Sequence, residues 1–202
     1  MTQKTMAKSD AEQVRALRQV SGAGVMDCKR ALEEAKGDFG RAQQVLRQKG
    51  FDKARGKATR AAREGQVFSY VHLGGKIGVL VEINCESDFV ARNSEFCDFG
   101  RDIALQIAAS SPIFVSREEI DPKWIEREKE SFQSEIKGKP TKVQDEAIQG
   151  KLEKRFSEVC LLEQKFIKNE DLTVQDLLTD LISKVGERIV IKRFRRFQVG
   201  SE

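Results

Sequence analysis

The stretch Cys85-Glu86-Ser87-Asp88-Phe89-Val90-Ala91-Arg92-Asn93 separates two segments of different periodicity. Before it, residues 76–84 form a strongly apolar run, which is typical of a buried β-strand. After it, apolar residues recur at spacings of three and four from Phe96 onward, which predicts an amphipathic helix. The stretch is therefore a short polar strand-to-helix connection that carries one large apolar residue, Phe89, beside Asp88. Such a phenylalanine either packs into its own core, which is the commoner arrangement, or is presented to another molecule.

A second strand pattern precedes this run and predicts a β-hairpin. Val67 to Leu73 alternates between apolar and polar residues, and Gly74-Gly75 separates it from the run that starts at Ile77. Two strand patterns joined by a Gly-Gly turn are a hairpin signal. His72, the single histidine, lies at the end of the first strand, where a lone histidine is usually structural.

The C-terminal half predicts three further helices and a last strand. Asp121-Pro122 and Thr141 begin two charged amphipathic helices, so residues of about 121–156 should form a helical hairpin. Thr173 caps the next helix, which Gly186 ends. Residues 189–199 then predict a strand.

Residues 9–50 predict a bundle of three short helices with their own start and stop signals. Ser9 and Glu12 form a capping-box pattern, and Gly50 is expected to end the third helix. The inward face of the second helix is expected to consist of four apolar residues, Val25, Cys28, Leu32 and Ala35. Met26 and Lys29 lie off this face, where a solvated edge is the ordinary interpretation.

Two basic segments raise the alternative of RNA binding. Residues 51–65 form a basic, Ala-rich linker, and residues 192–197 interleave cations with aromatic side chains as single-strand binders do. A solvated, partly helical linker and a terminal strand with a charged outer face explain the same residues, and we prefer these interpretations.

The composition predicts a soluble globular protein and gives no sign of an enzyme. Of 202 residues, 39% are hydrophobic and 34% charged, with a net charge of only +4. No apolar segment has the length of a signal peptide or membrane span, so we expect neither export nor a membrane. Four widely spaced cysteines and one histidine fit no common zinc pattern, which predicts reduced thiols in the cytoplasm. We find no nucleophile–base pair, metal-ligand spacing or phosphate-binding loop.

These patterns together predict an α+β fold in three parts. A three-helix domain covers residues 9–50, a basic linker covers 51–65, and a core covers 66–200. The core should combine a small antiparallel sheet with the helical hairpin at about 121–156.

Four stretches resemble signature sequences of the elongation factor Ts family. Residues 84–92 resemble N-C-x-T-D-F-V-A-K, with Ser87 in place of the usual threonine and its hydroxyl retained. Residues 21–32 resemble T-G-A-G-M-M-D-C-K-K-A-L, residues 69–80 resemble S-Y-x-H-x-x-x-x-I-G-V-L, and residues 183–189 resemble A-K-I-G-E-N-I. The resemblance extends from about Ser9 to Gly200.

This resemblance implies a translation elongation factor that acts as a guanine nucleotide exchange factor on elongation factor Tu and breaks no covalent bond. The Asp88-Phe89 loop would wedge into the GTPase domain of that partner and weaken its hold on GDP and Mg²⁺. The protein itself would need no cofactor. The positions that match partner-contacting residues of the family are Met26, Lys29, His72, Ser87, Asp88, Phe89, Val90, Val185 and Gly186.

The resemblance also implies an assembly. The N-terminal helices resemble the ubiquitin-associated-like module with which the family begins. Long family members carry two related core halves, whereas this sequence has one core that holds all the core motifs. It therefore resembles the short form, and we expect a homodimer in which a second subunit supplies the second half. The alternative function is an RNA-binding translation or ribosome-assembly factor that uses the basic linker and the C-terminal strand.

Overall fold

The computed structural model of the protein describes residues 10–135 and 141–201. Eight α-helices and five β-strands lie in these residues. The helices are, in chain order, α1 (Asp10–Ser21), α2 (Val25–Glu34), α3 (Phe39–Lys57), α4 (Asp88–Ala91), α5 (Ser94–Ser110), α6 (Pro122–Glu135), α7 (Thr141–Val159) and α8 (Val174–Val185). The strands are β1 (Glu64–Val71), β2 (Ile77–Cys85), β3 (Lys165–Phe166), β4 (Asn169–Thr173) and β5 (Val190–Gln198). This combination confirms the predicted α+β class.

A three-stranded antiparallel sheet of order β1-β2-β5 forms the centre of the core. The hairpin predicted around Gly74-Gly75 is confirmed, because Val71 pairs with Gly78 and Glu64 pairs with Cys85. The first strand runs from Glu64 to Val71 and so begins and ends earlier than the alternating pattern predicts.

One face of this sheet packs against α5, and α8 packs on α5 within the same buried cluster. Alternate β2 residues, Val79, Val81 and Ile83, point to this face. They form a buried cluster with residues of the two helices, Phe96, Ile103, Ile107, Leu178 and Ile182. Gly100 of α5 lies directly beneath the ring of Phe68, where an added Cβ would collide with the ring. The glycine therefore allows helix and strand to approach closely.

The helical hairpin is confirmed as α6 and α7, with its connecting residues 136–140 outside the described part of the chain. The buried α7 residues Ile148, Leu152 and Phe156 form a separate apolar cluster. Trp124 of α6 packs edge-on against Phe114, with ring centroids 5.5 Å apart. The hairpin therefore has its own apolar core beside the sheet.

Three helices form the N-terminal bundle, as predicted, around buried residues such as Leu17, Cys28 and Leu32. Asp38 caps α3 by accepting a hydrogen bond from the Arg41 backbone N–H at 2.9 Å. The expectation that Val25 faces inward is wrong, because it lies at the rim between α1 and α2 and is 48% exposed. Ser9, the predicted cap of the first helix, lies outside the described residues.

The prediction that Gly50 ends the third helix is also wrong, because α3 continues to Lys57. Gly50 is buried against α8, where an added Cβ would lie 3.1 Å from Ser183 Oγ and 3.3 Å from Thr179 Cγ2. The glycine therefore serves close helix packing and not a helix stop. Much of the expected linker is in fact helix, and only residues 58–63 lie between α3 and β1.

Candidate partner-binding site

The Asp88-Phe89 segment forms a single helical turn, α4, between the end of β2 and the start of α5. Val90 and Ala91 are buried in the core cluster, so Phe89 is directed outward and is 79% exposed. The interpretation of Phe89 as a core residue is therefore wrong. The Phe89 ring is therefore exposed to solvent, whereas the next two residues of the same turn, Val90 and Ala91, are buried in the core.

Three hydrogen bonds hold this turn, one from its own cap and two from β1 and β2. Ser87 caps it by accepting from the Val90 N–H at 3.3 Å, and Gln66 of β1 donates to the Ala91 carbonyl at 2.7 Å. The buried Cys85 thiol donates to the Ser87 carbonyl at 3.0 Å. Burial, followed by the negative charge of Glu187, raises the pKa of Cys85 to about 11, so the thiol remains a protonated donor at neutral pH.

A carboxylate from a distant part of the chain completes this set of bonds. Glu187 Oε2 accepts from the backbone N–H groups of Glu86 at 3.1 Å and Ser87 at 3.0 Å. Its Oε1 accepts from Ser87 Oγ at 2.6 Å. The segment after α8 is therefore joined directly to the segment before α4.

Glu86 makes the matching contact in the opposite direction. Its Oε1 accepts from the Arg188 backbone N–H at 2.6 Å and lies 3.4 Å from Arg60 Nη1. The hydrogen bond from Arg188, and then the charge of Arg60, hold the pKa of Glu86 below its usual value. The Arg188 side chain in turn donates to the Arg60 carbonyl, which ties the residues after α3 to the same place.

Val185 and Gly186 lie immediately before this carboxylate. Val185 is half-buried and ends α8, and Gly186 has the left-handed backbone (φ 76°) that favours glycine after a helix. Because Glu187 bonds to Glu86 and Ser87, the structure brings these two predicted contact residues close to the Phe89 turn.

Met26 and Lys29 lie on the exposed side of α2, with Met26 62% exposed. Lys29 also lines a groove of about 490 Å³ between α1 and α2, whose other residues include Val14, Arg18 and Val25. Since α3 of the same bundle packs on α8 through Gly50, this surface has a defined position relative to the C-terminal end of α8.

His72 lies far from the Phe89 turn. Its backbone N–H bonds to the Ile77 carbonyl at the beginning of β2, whereas the turn follows Cys85 at the other end of the strand. At about 3.3 Å per residue the two positions are about 26 Å apart along the sheet. His72 is exposed, and its Nδ1 lies 3.1 Å from Tyr70 Oη. Within one chain it therefore belongs to a separate surface.

The remaining predicted residues have contrasting environments. Asp88 is exposed and pairs with Arg92 four residues on, a type of surface ion pair that contributes little stability. Val90 is only 6% exposed, so its side chain anchors the turn and offers no surface to a partner. Glu86 and Glu187 did not emerge from the sequence patterns, since the two residues are 101 positions apart.

The described residues form neither a metal-binding cluster nor a membrane-spanning helix. Within residues 10–135 and 141–201, no three His, Cys, Asp or Glu side chains are grouped so as to hold a metal ion. In the same part of the chain, no helix has both the length and the apolar character needed to cross a membrane.

Comparison with known proteins gives matches over nearly the whole chain. A family model described as elongation factor TS matches residues 2–201. The elongation factor Ts of Carboxydothermus hydrogenoformans is 56% identical over 191 residues, which cover 94% of this chain and 88% of that protein. The elongation factor Ts of Thermodesulfovibrio yellowstonii is 52% identical, with 94% and 96% covered, and that of Desulfotalea psychrophila is 53% identical, with 93% and 96% covered.

Proposed function

Since this chain belongs to the elongation factor Ts family of translation elongation factors, we propose that it promotes GDP release from elongation factor Tu. It would do so in the cytoplasm, as an exchange factor that breaks no covalent bond and needs no cofactor of its own. The surface that would act on the partner contains the Phe89 turn and the residues beside it.

The exposed ring of Phe89 is the observation that carries this proposal. A single exposed apolar residue is ordinary, but this one projects from a one-turn helix that is fixed on the other side by Val90 and Ala91. An aromatic side chain on a preorganised backbone requires no ordering of the turn when it enters a pocket, so more of its burial energy contributes to binding. The turn therefore has the properties required of a wedge.

The wedge and the nucleotide would stabilise different conformations of the partner, so that binding of one weakens binding of the other. Insertion of Phe89 beside Asp88 would displace the elements that hold Mg²⁺ and the β-phosphate, and GDP would leave. Such coupling is reciprocal, so bound nucleotide must weaken the affinity for this protein by the same factor. Met26 and Lys29, together with Val185 and Gly186, would hold the partner while Phe89 acts.

We also propose that the protein acts as a homodimer. The outer sheet face, defined by Val67, Val71, Leu80 and Phe197, is half or more exposed at each of these residues, so none of the described elements covers it. A twofold axis would place two such identical faces together and cover their exposed apolar residues. The dimer would also bring His72 of the second subunit within reach of a partner held at Phe89. Within a single chain these two residues lie at opposite ends of the sheet.

The geometry supports RNA binding less well. Residues 192–197 lie in β5, where successive side chains point to opposite faces of the sheet, so Phe194 and Phe197 form no common stacking surface. Arg196 donates to the Ala108 carbonyl at 3.3 Å, and Arg193 pairs with Glu82 at 2.7 Å. These cations already have partners within the protein.

Release of fluorescent GDP from elongation factor Tu tests the proposed function. We expect the rate to rise with the concentration of this protein and then to saturate. A rate equal to spontaneous release at every concentration would refute the proposal. Parallel titrations with RNA at increasing salt would reveal the alternative, because RNA binding should weaken steeply as salt rises.

A further inference from the structure

We propose that Glu187 is a positioning residue for the Phe89 turn, and this inference rests on the proposed function. Its carboxylate fixes the backbone of Glu86 and Ser87, so Phe89 and the Val185-Gly186 segment meet the partner as one rigid surface. Glu187 itself need not touch the partner.

The bonds of Glu187 converge on the two residues that set the direction of α4. Glu86 and Ser87 directly follow β2, and their backbone N–H groups donate to Glu187. The Ser87 hydroxyl also caps the helical turn. One carboxylate satisfies all three donors at 2.6 to 3.1 Å. Hydrogen bonds to an ionised acceptor are about twice as strong as neutral ones, so this contact restrains the turn more than an ordinary side-chain bond.

The contact is also reciprocal, which fixes two segments relative to each other. Glu187 bonds to the backbone of Glu86, and Glu86 bonds to the backbone of Arg188. Neither segment can move away without breaking bonds from both carboxylates. The left-handed Gly186 directs the chain out of α8 and into this contact.

The core of the protein does not depend on Glu187. Val90 and Ala91 are buried among apolar residues, and Glu187 itself is half-exposed, so water can reach the donors that its removal would leave free. Loss of the carboxylate should therefore loosen the turn while the fold remains. The consequence would appear at binding, because the partner must then order a turn that was ordered in advance.

Three variants test the inference: Glu187→Ala, Glu187→Gln and the matched control Glu170→Gln, which changes the same charge on the exposed strand β4. We expect Glu187→Ala to raise the concentration for half-maximal GDP release by about tenfold, which is a loss of about 1.4 kcal/mol. Glu187→Gln keeps one acceptor oxygen and should recover part of this loss. Glu170→Gln should match the unaltered protein.

Amide hydrogen exchange of the free protein gives an independent readout. In Glu187→Ala the amides of Glu86 and Ser87 should exchange faster, while the melting temperature stays close to that of Glu170→Gln. In a Phe89→Ala background, Glu187→Ala should lower the affinity for elongation factor Tu by much less than tenfold, because only the Val185-Gly186 segment is left to position.

Each alternative outcome has a distinct meaning. If unaltered protein does not accelerate GDP release, the proposed function fails, and this is known before any variant is compared. If the unaltered protein is active and Glu187→Ala reaches half-maximal GDP release from elongation factor Tu at the same concentration, the positioning role is refuted. An equal loss of affinity for elongation factor Tu in the presence of Phe89 and in the Phe89→Ala background would also refute it, since it would indicate an effect that does not pass through Phe89.

Discussion

Replacement of Phe89 by alanine removes the exposed ring and leaves the backbone of α4 in place. The free protein should hardly be affected, because only about one fifth of the residue is covered. Truncation of a fully buried phenylalanine lowers the free energy of unfolding by about 3 to 5 kcal/mol. Because little of Phe89 is covered and alanine is the better helix former, we expect Phe89→Ala to lower it by about 0.5 kcal/mol or less.

The effect on partner binding should be much larger. A phenylalanine side chain buries about 180 Å² at most, and its exposed 79% corresponds to about 140 Å² that a partner pocket could cover. At about 25 cal/mol per Å² this area contributes about 3.5 kcal/mol. The affinity for elongation factor Tu with GDP bound should therefore fall about 300-fold.

Two measurements on the same preparation separate these effects. Urea unfolding gives the stability of the free variant, and calorimetric titration with elongation factor Tu gives its affinity. Ile113→Ala is the matched control, because Ile113 is an exposed apolar residue outside the proposed contact surface. It should leave the affinity for elongation factor Tu unchanged.

Two other outcomes would contradict an exposed ring that binds the partner. If Phe89→Ala lowered the free energy of unfolding by about 3 kcal/mol or more, the ring would be part of the core after all. If both stability and affinity were unchanged, the ring would be exposed but without a partner.

Three further predictions concern assembly, the helical bundle and pH. Leu80→Glu places a charge on the outer sheet face and should halve the mass found by sedimentation, whereas Leu73→Glu in the exposed hairpin turn should not; a monomeric unaltered protein would contradict the dimer. Removal of residues 1–57 uncovers the side of α8 that contacts Gly50, so the fragment should melt cooperatively but at lower temperature, and an unchanged melting temperature would contradict this packing. The lowered pKa of Glu86 stabilises the folded protein above the unfolded-state value of about 4.5, and this contribution is lost as pH falls through the folded pKa. The unfolding free energy of Glu86→Gln should therefore depend less on pH below 4.5, and identical profiles would contradict the interpretation.

The strand, turn and helix around Phe89 could be predicted from the sequence because their signals are local. The change of apolar period marks the strand and the helix, and Ser87 and Asn93 cap the two helical segments through their own neighbours. The same holds for Thr173, whose capping box with Asp176 begins α8.

The direction of Phe89 could not be predicted from periodicity alone. A large apolar residue in a short turn can face either way, and the outcome depends on which neighbours fill the core. Here the smaller Val90 and Ala91 occupy that space, and the larger ring is left outside. The resemblance to a known family, not the spacing, pointed to exposure.

Tertiary contacts explain the remaining differences. Gly50 has the local signature of a helix stop, but the requirement it meets is close contact with Thr179 and Ser183 of another helix. Glu86 and Glu187 are both ordinary surface carboxylates in the sequence, and only the fold brings them to each other's backbone. Single-sequence patterns contain no signal for pairs this far apart.

In the proposed mechanism the ring of Phe89, and not only the binding surface around it, drives nucleotide release. The most direct test is the maximal rate of fluorescent GDP release from elongation factor Tu, measured with saturating unaltered protein and with saturating Phe89→Ala. Saturation removes the difference in affinity, so the wedge account predicts fast release with the unaltered protein and a rate near spontaneous release with the variant. Equal maximal rates would show that Phe89 contributes only to binding and would contradict the account.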